Sequence, residues 1–182
     1  MGFALASAAR AMGARVCVVS GPTFAQAPSD VECVRVTTAR EMMRQTMRRS
    51  QGAAIVIGAA AVSDWRFRRV SAQKIKRAPG AFHLTLIPNP DIIKTVARRR
   101  QPGQIYIGFA LETRRAVQNA RLKLVEKSLD LVVANDPRNL GSARARVTLV
   151  TRDWARPIAE GTKARVARSI IAQAAKLLES RN

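Results

Sequence analysis

Paired lysines are the residues of this sequence whose spacing most directly suggests chemistry. Lys123 and Lys127 are four residues apart, so on a helix their ammonium groups project from one face about a turn apart. Two like charges at this spacing repel each other unless an anion lies between them, which makes a phosphate group a suitable partner. Lys74 and Lys76 lie in a basic stretch that is typical of a mobile loop, although a solvated charge run would look the same. The spacing of Lys123 and Lys127 predicts a site for a phosphate ligand.

A polar residue follows an apolar run that predicts a central strand. Residues 53–62 are apolar on both faces and too short for a buried helix pair, and Asp64 comes just after them. Because α/β sheets bind ligands beyond the carboxyl ends of their strands, Asp64 is a candidate ligand group. Ala60 and Ala61 would let a substrate approach the backbone closely, and ordinary packing in a buried strand is the alternative.

The run Asn89, Pro90 and Asp91 has the order of a helix start. It offers an N-cap, a proline at the first helical position and an acid in the first turn, and the helix is expected to reach about Arg99. The free amides and the dipole of a helix start suit an anion. Capping alone explains the same residues, but it does not exclude binding.

Motifs for several common chemistries are absent from the sequence. It contains no G-x-G-x-x-G after a strand, no G-x-x-x-x-G-K-[ST], no H-E-x-x-H and no paired C-x-x-C. His83 is the only histidine and lies in a predicted strand at 82–86, which argues against Ser-His-Asp catalysis. Cys17 and Cys33 have neither the spacing of a metal site nor the number of a disulfide framework, so we expect reduced core thiols in a cytoplasmic protein.

The composition limits the class of protein. A chain of 182 residues, of which 47% are apolar, is long enough for one domain with a substantial core. Charged residues interrupt each apolar stretch before the roughly 20 residues that a membrane helix needs, so no membrane segment is expected. The net charge of +20 favours anionic partners. Because this charge is spread along the chain and aromatics make up only 4%, nucleic acid is not the expected partner.

Strands alternate with helices along the chain, which predicts an α/β fold with one mostly parallel sheet in three layers. A Thr38–Glu41 capping box and Gly13 mark helix boundaries. The predicted strands lie at 15–20, 33–36, 53–62, 82–86, 105–110, 130–134, 147–150 and 156–158, and the predicted helices at 3–12, 38–49, 89–99, 112–128 and from Thr162 onward.

Several short segments, taken together, resemble one known family. They are AAAVSDWR at 59–66, KIK at 74–76, NPDI at 89–92, GFALET at 108–113, Lys123, Lys127 and DLVVAN at 130–135, preceded by MGFALA, GPT and the T-A-x-E-M of residues 38–42. Their order and spacing are similar to those of the phosphopantothenoylcysteine synthetase family, also called phosphopantothenate-cysteine ligase. This Rossmann-like domain is often the C-terminal half of a bifunctional coenzyme A biosynthesis protein. The resemblance covers about residues 1–140.

The resemblance implies a CTP-dependent acid-amine ligase. Relatives activate 4'-phosphopantothenate with CTP to give an acyl-cytidylate, and the amine of cysteine then displaces CMP to form an amide. The family uses Mg²⁺ and forms homodimers in which a flap, here about residues 65–88, reaches the neighbouring active site. CTP, 4'-phosphopantothenate, cysteine and a second copy of the chain are therefore the expected partners.

The resemblance also assigns roles to residues. Lys74 matches the flap lysine over the triphosphate and is the expected catalytic residue. Phe109 matches a nucleotide-pocket aromatic, with a core position as the alternative, and Asp64 is expected to contact the nucleotide or its metal. The expected nucleotide-binding residues are Asp64, Lys74, Asn89, Pro90, Asp91, Ile92, Phe109, Lys123 and Lys127, with Ala60 and Ala61 on the substrate side.

The sequence departs from the family pattern in two places. Relatives begin with a further strand, a Gly-rich turn and an asparagine that promotes breakdown of the acyl-cytidylate, whereas this sequence starts at Met1 with the helix that follows them. We therefore expect a single domain over 1–182 whose sheet lacks its first central strand. In the loop at 139–147, Ala143 and Arg144 replace the usual acidic and amide residues, which affects the substrate side.

A second hypothesis is a basic protein that binds nucleotide or nucleic acid without catalysis. CTP with Mg²⁺ and a random duplex separate the two hypotheses, because duplex affinity falls steeply with salt through counterion release.

Overall fold

The computed structural model describes residues 1–77, 79–111, 115–139 and 141–181. Within these ranges the elements are, in chain order, α1 Gly2–Ala11, β1 Cys17–Ser20, β2 Glu32–Arg35, α2 Ala39–Ser50, β3 Ile55–Gly58, β4 Trp65–Phe67, β5 Leu86–Pro88, α3 Ile92–Ala97, β6 Ile105–Leu111, α4 Ala116–Lys127, β7 Leu131–Asn135, β8 Arg144–Val150, β9 Ala155–Thr162 and α5 Lys163–Glu179. The predicted beginning of α4 at Glu112 and the last two residues of the GFALET segment lie outside the described residues.

The main sheet has five strands in the order β3-β6-β7-β8-β9. β3, β6 and β7 run parallel, and β8 and β9 add antiparallel pairs at one side. The registers Gly58↔Gly108 and Ile107↔Leu131 align the three parallel strands. The predicted α/β class is confirmed, because the strands predicted at 53–62, 105–110 and 130–134 form this parallel part.

β1 does not belong to that sheet, so the prediction that it would is wrong. It pairs with β2 in a separate two-stranded parallel sheet, with Cys17 opposite Glu32. Among the described residues, no ladder joins the free sides of β1 and β3, which is the gap expected for a sheet that lacks a central strand. β3 is consequently only half-buried, although its sequence is as apolar as that of buried β6. Cys17 is exposed for the same reason and is not the core thiol predicted, while Cys33 is half-buried.

Helices cover both faces of the main sheet, which confirms the three predicted layers. α1 and α5 pack on one face, and α2, α3 and α4 on the other. Side chains of the central strands alternate between these faces: Ile105, Ile107, Leu131, Val133, Val147 and Leu149 point to the first, and Tyr106, Ala110, Val132, Ala134 and Val150 to the second. No described helix has the length and apolar character needed to cross a membrane.

Helix ends follow the sequence signals. The Thr38 hydroxyl accepts from the Glu41 amide at 3.1 Å, and the Glu41 carboxylate accepts in return from the amides of Thr37 and Thr38. These two amide hydrogen bonds hold the pKa of Glu41 below its ordinary value. Gly13 takes the left-handed conformation after α1, at φ +86°, and Thr162 caps α5.

Three predicted boundaries in the middle of the chain are wrong. In place of the strand predicted at 82–86, the structure has β5 at Leu86–Pro88, which pairs antiparallel with β4. His83 is exposed and lies outside any strand. The strand predicted at 53–62 ends at Gly58. The helix predicted from Asn89 is the six-residue α3, which starts at Ile92. β5 is placed by its pairing with β4, and α3 begins after Asp91 because that side chain caps the Lys94 amide.

The buried carboxylate of Asp130 joins four elements at the amino end of β7. It accepts from the Tyr106 amide at 2.6 Å and from the Arg100 guanidinium at 3.0 Å, and it pairs with Arg181 after α5. Its side chain is only 9% exposed, so these donors offset the cost of burying the charge. Asp130 thereby fixes α3, β6 and α5 relative to β7.

Two facing glycines let the helices of the second layer approach the sheet closely. A Cβ built on Gly58 would lie 3.1 Å from the Ile93 side chain, and one on Gly108 only 2.6 Å from Leu129 Cδ1. Gly58 and Gly108 are ladder partners, so Ile93 of α3 and Leu129 after α4 rest on neighbouring positions of the sheet. Side chains at these two positions would push the helices outward.

Replacing Gly108 by Ala is expected to destabilise the domain by about 1–3 kcal/mol, because the new methyl group overlaps a packed side chain. Urea unfolding followed by circular dichroism measures the change. Gly52→Ala is the control, since a Cβ at Gly52 meets nothing within 4 Å. Equal losses of stability in the two variants would contradict the role of the close approach.

Candidate functional site

The loop after β3 holds three of the predicted site residues. Ala60, Ala61 and Asp64 all lie beyond the end of the strand at Gly58, and all three are exposed. The two alanines are therefore accessible from solvent and not packed in a buried strand. The main-chain carbonyl of Asp64 accepts from the Asn89 amide at 2.7 Å, which brings the loop beside the segment that leads into α3.

The predicted flap is a hairpin arm with a short stem. β4 and β5 form the stem, with Trp65 opposite Pro88 and Phe67 opposite Leu86, and the Arg68 amide extends it by donating to the Thr85 carbonyl. The rest of the described arm has no regular secondary structure and carries Lys74 in an exposed position. A short two-stranded stem without helix cover gives such an arm little to hold it in one place.

Large apolar side chains of the arm are exposed. They are Trp65, Phe67, Val70, Ile75, Phe82, Leu84 and Leu86, each at least half exposed and Val70 86% exposed. A soluble monomer seldom concentrates so many in one segment, and such patches commonly bind another protein surface.

Asn89 ties the base of the arm together and does not cap α3 as predicted. Its side-chain amide donates to the Ser63 carbonyl at 2.8 Å, and its side-chain oxygen accepts from Arg66 at 3.3 Å. Arg66 also donates to the Pro88 carbonyl. The side chain of Asn89, which follows β5, thus binds residues on the β4 side of the stem, and the capping position falls to Asp91.

Asp91 connects α3 with α4. Its Oδ1 accepts from the Lys94 amide at 3.1 Å, which caps α3, and its Oδ2 lies 2.8 Å from Lys127 Nζ. A second ion pair joins the same helices, because Lys94 Nζ lies 2.8 Å from Glu126 Oε1. The hydrogen bond and charge of Lys94 hold the pKa of Glu126 below its ordinary value. Two predicted nucleotide-binding residues, Asp91 and Lys127, are therefore in direct contact.

Three further predicted residues, Pro90, Ile92 and Lys123, lie close to this contact along α3 and α4. Pro90 and Ile92 flank Asp91 and are half-buried, and Lys123 lies one turn before Lys127 on α4. Phe109 is half-buried and packs against the core on the α1 and α5 side of the sheet, opposite to the face that carries Asp91 and Lys127. The core alternative for Phe109 thus has structural support, and its role in a nucleotide pocket stays a prediction.

Sequence reasoning missed Arg66, Ser63 and the Lys94–Glu126 pair. Their partners are 22 to 32 residues away in sequence, across the arm or between helices. No local pattern signals such contacts. Among the described residues there is no group of three or more His, Cys, Asp or Glu that could hold a metal ion.

None of the predicted site residues is fully buried. Two cavities are lined by other residues, one by Met47, Gln101 and Gln104 and another by Arg100, Asp130 and Trp154. Neither is lined by a residue predicted to bind nucleotide or substrate. A ligand held at the Asp91–Lys127 contact would therefore need the arm, or another surface, to cover it.

Comparison with known proteins shows the family of the chain. The family model for the DNA/pantothenate metabolism flavoprotein C-terminal domain matches residues 1–178. The chain belongs to this family. A solved structure of the C-terminal domain of the coenzyme A biosynthesis bifunctional protein CoaBC superposes with a TM-score of 0.83 at 33% identity, over 98% of this chain and 82% of that one. The family resemblance predicted from the short segments is thus confirmed.

Two curated relatives are also bifunctional CoaBC proteins. The chain is 34% identical to that of Borreliella burgdorferi over 173 residues, which is 94% of this chain and 44% of the relative. It is 42% identical to that of Escherichia coli over 139 residues, which is 75% of this chain and 34% of the relative. The family domain described here thus spans less than half the length of these relatives.

Replacing Asn89 by Ala is expected to loosen the base of the arm, because the bonds to Ser63 and Arg66 are lost. Hydrogen exchange at the amides of Arg68 and of position 89 should accelerate about tenfold, which corresponds to the loss of about 1.4 kcal/mol of net hydrogen-bond energy. Gln73→Ala, on the arm but outside the stem, is the control. Unchanged exchange at both amides would show that Asn89 does not hold the arm.

Proposed function

We propose that this family domain joins 4'-phosphopantothenate to cysteine with CTP as the activating nucleotide, in cytoplasmic coenzyme A biosynthesis. The observation that carries the proposal is a pair of neighbouring contacts. Asn89 binds the base of the arm, and Asp91, two residues later, pairs with Lys127 of α4. These contacts bring the base of the Lys74 arm and the lysine face of α4 together beside the loop after β3. The named relatives, which are coenzyme A biosynthesis proteins, support the same activity.

The reaction consists of two displacements. A carboxylate oxygen of 4'-phosphopantothenate attacks the α-phosphorus of CTP, and pyrophosphate leaves with the electrons of the broken P–O bond. The amine of cysteine then attacks the acyl carbon, CMP leaves, and the nitrogen loses a proton as the amide forms. Neither step needs a covalent protein nucleophile, so positioning and charge neutralisation are the contributions expected from the protein.

The lysines of the candidate site are suited to neutralise and position the triphosphate. Lys74 on the exposed arm can come down over the triphosphate, while Lys123 and Lys127 present their charges from α4 on the other side. An arm that carries a cation can close over a bound ligand and exclude water, which strengthens each electrostatic contact. In this proposal Lys74 neutralises charge that develops on the transferred phosphoryl group.

We extend the proposal to Mg²⁺. Sites for magnesium nucleotides commonly use one or two carboxylates together with the phosphates, and do not need a cage of protein ligands. The exposed carboxylate of Asp64, beside the segment that leads to Asp91, fits such a donor set. When bound, the metal ion would neutralise phosphate charge and orient the triphosphate.

Lys74→Ala and Lys127→Ala are each expected to weaken CTP binding by about 10- to 100-fold, the loss of one charge-assisted hydrogen bond of roughly 1.5–3 kcal/mol. Isothermal titration with CTP and Mg²⁺ measures binding, and CMP release in the presence of both other substrates measures turnover. The melting temperature should change little for Lys74→Ala, because Lys74 is exposed, and only modestly for Lys127→Ala, which loses a partly exposed ion pair worth up to about 1 kcal/mol. Lys176→Ala on α5 is the control, and CTP affinities equal to that of the control would refute the assignment.

The proposal also includes a homodimer in which the arm packs on a second copy of the chain. Its support is the concentration of exposed apolar side chains on the arm. The contact would hold each arm over a site and limit its motion.

The double variant Val70→Asp with Phe82→Asp should therefore shift the chain toward monomer, because charges would be buried in the contact. Sedimentation velocity at several concentrations measures the populations. Val125→Asp, with a similarly exposed apolar residue on α4, is the control. A dimer population that the arm variant leaves unchanged would exclude this mode of assembly.

A further inference from the structure

The carboxylate of Asp91 is bound on both of its oxygens at the centre of the candidate site. One oxygen accepts from the Lys94 amide at 3.1 Å and the other lies 2.8 Å from Lys127 Nζ. Lys127 is the cation of α4 expected to take a phosphate oxygen. An anion of the protein itself therefore holds the position where a ligand anion is expected.

The two ion pairs that cross from α3 to α4 differ in their surroundings. In the Asp91–Lys127 pair the side chains are 35% and 26% exposed, and in the neighbouring pair Lys94 is 26% and Glu126 61% exposed. Asp91 is also fixed by its cap hydrogen bond, whereas Glu126 stands on the exposed side of α4. The Asp91 carboxylate is thus the better-held counter-ion of the two.

We propose that Asp91 competes with phosphate ligands for Lys127 and thereby sets the anion affinity of the site. A ligand that uses Lys127 must displace the carboxylate or share the lysine with it, and either costs part of the ion-pair energy. Because this cost falls on every such ligand, Asp91 weakens the binding of all of them, and a monophosphate, which has few other contacts, is held least. This inference rests on the proposed function for the location of the ligand.

The same competition acts on the product side of the proposed reaction. After pyrophosphate has left and the amide has formed, the remaining nucleotide is a monophosphate. The carboxylate of Asp91 needs only a small side-chain movement to pair again with Lys127, because its second oxygen stays on the Lys94 amide. Return of the carboxylate would weaken the hold on CMP and assist its release.

The Asp91→Asn variant removes the negative charge that pairs with Lys127 and keeps a side chain that can cap α3. Asparagine is as good an N-cap as aspartate, so α3 keeps its first hydrogen bond while Lys127 loses its counter-ion. Asp91→Ser, another neutral cap, is the second variant if the first fails to fold. Glu126→Gln is the control, because it removes the neighbouring cross-helix pair and leaves Asp91 and Lys127 in contact.

Binding of phosphate, pyrophosphate, CMP and CTP is measured by isothermal titration in a buffer without divalent cations, so that no metal bridges the carboxylate and the ligand. Partly exposed ion pairs are worth up to about 1 kcal/mol, so Asp91→Asn should tighten phosphate and CMP binding about two- to fivefold. Pyrophosphate and CTP should gain at least as much, because they use the same lysine and carry more negative charge near position 91. Glu126→Gln should change all four affinities less than Asp91→Asn does, because Glu126 pairs with Lys94 and its carboxylate is more exposed than that of Asp91.

A double-mutant cycle with Lys127→Ala tests whether Asp91 changes phosphate affinity through Lys127. In the Lys127→Ala background, Asp91→Asn should have no effect on phosphate affinity, because the cation for which the two anions compete is gone. An equal gain in both backgrounds would mean that Asp91 acts through general charge, and it would overturn the inference.

The outcomes also separate this inference from the proposed function. CTP binding that Lys74→Ala weakens and Asp91→Asn leaves unchanged or weakens would overturn the inference alone. If no variant binds CTP but Asp91→Asn still tightens pyrophosphate and phosphate through Lys127, the proposed function fails and the competition stands. Absence of any anion binding in all variants would overturn both.

Discussion

The close approach of α3 and α4 to the main sheet is the constraint on which the candidate site depends. Ile93 rests on Gly58 and Leu129 rests on Gly108, and the two glycines are neighbours in the ladder between β3 and β6. Asp91 and Lys127 each lie two residues before one of these contacts. The 2.8 Å pair between them is therefore set by two positions that have no side chain. The two glycines on the sheet surface thus determine which charged side chains of α3 and α4 meet at the site.

Charge in this protein is organised locally, although its total is strongly positive. The 32 basic residues far outnumber the 12 acidic ones, yet several carboxylates hold well-placed pairs. At the amino end of β7, Asp130 binds the guanidinium groups of Arg100 and Arg181. Between α3 and α4, Asp91 binds the Lys94 amide and the Lys127 ammonium group. One acid organises the interior and the other organises the surface where a ligand is expected. The remaining cations supply a general attraction for anions.

The sequence predicted those features that depend on neighbouring residues. The capping box of α2, the glycine after α1, the start of α5 and the buried strands β6 and β7 follow from spacing and composition within a few residues. The stem of the arm, the role of Asn89 and the separation of β1 from the main sheet depend on contacts over longer distances. Asp91 was predicted as a site residue, but its pairing with Lys127 required the packing of two helices. Periodicity carries no information about such partners.

The base of the arm is held by main-chain atoms on one side, and this affects how the family domain can change in evolution. Asn89 uses its own amide and its side chain to bind the carbonyls of Asp64 and Ser63, which every amino acid possesses. Substitutions at these two positions therefore leave the acceptors in place. The side chains beside the site are free to diversify in charge and size while the arm keeps its attachment, so new ligand preferences can arise here without rebuilding the scaffold.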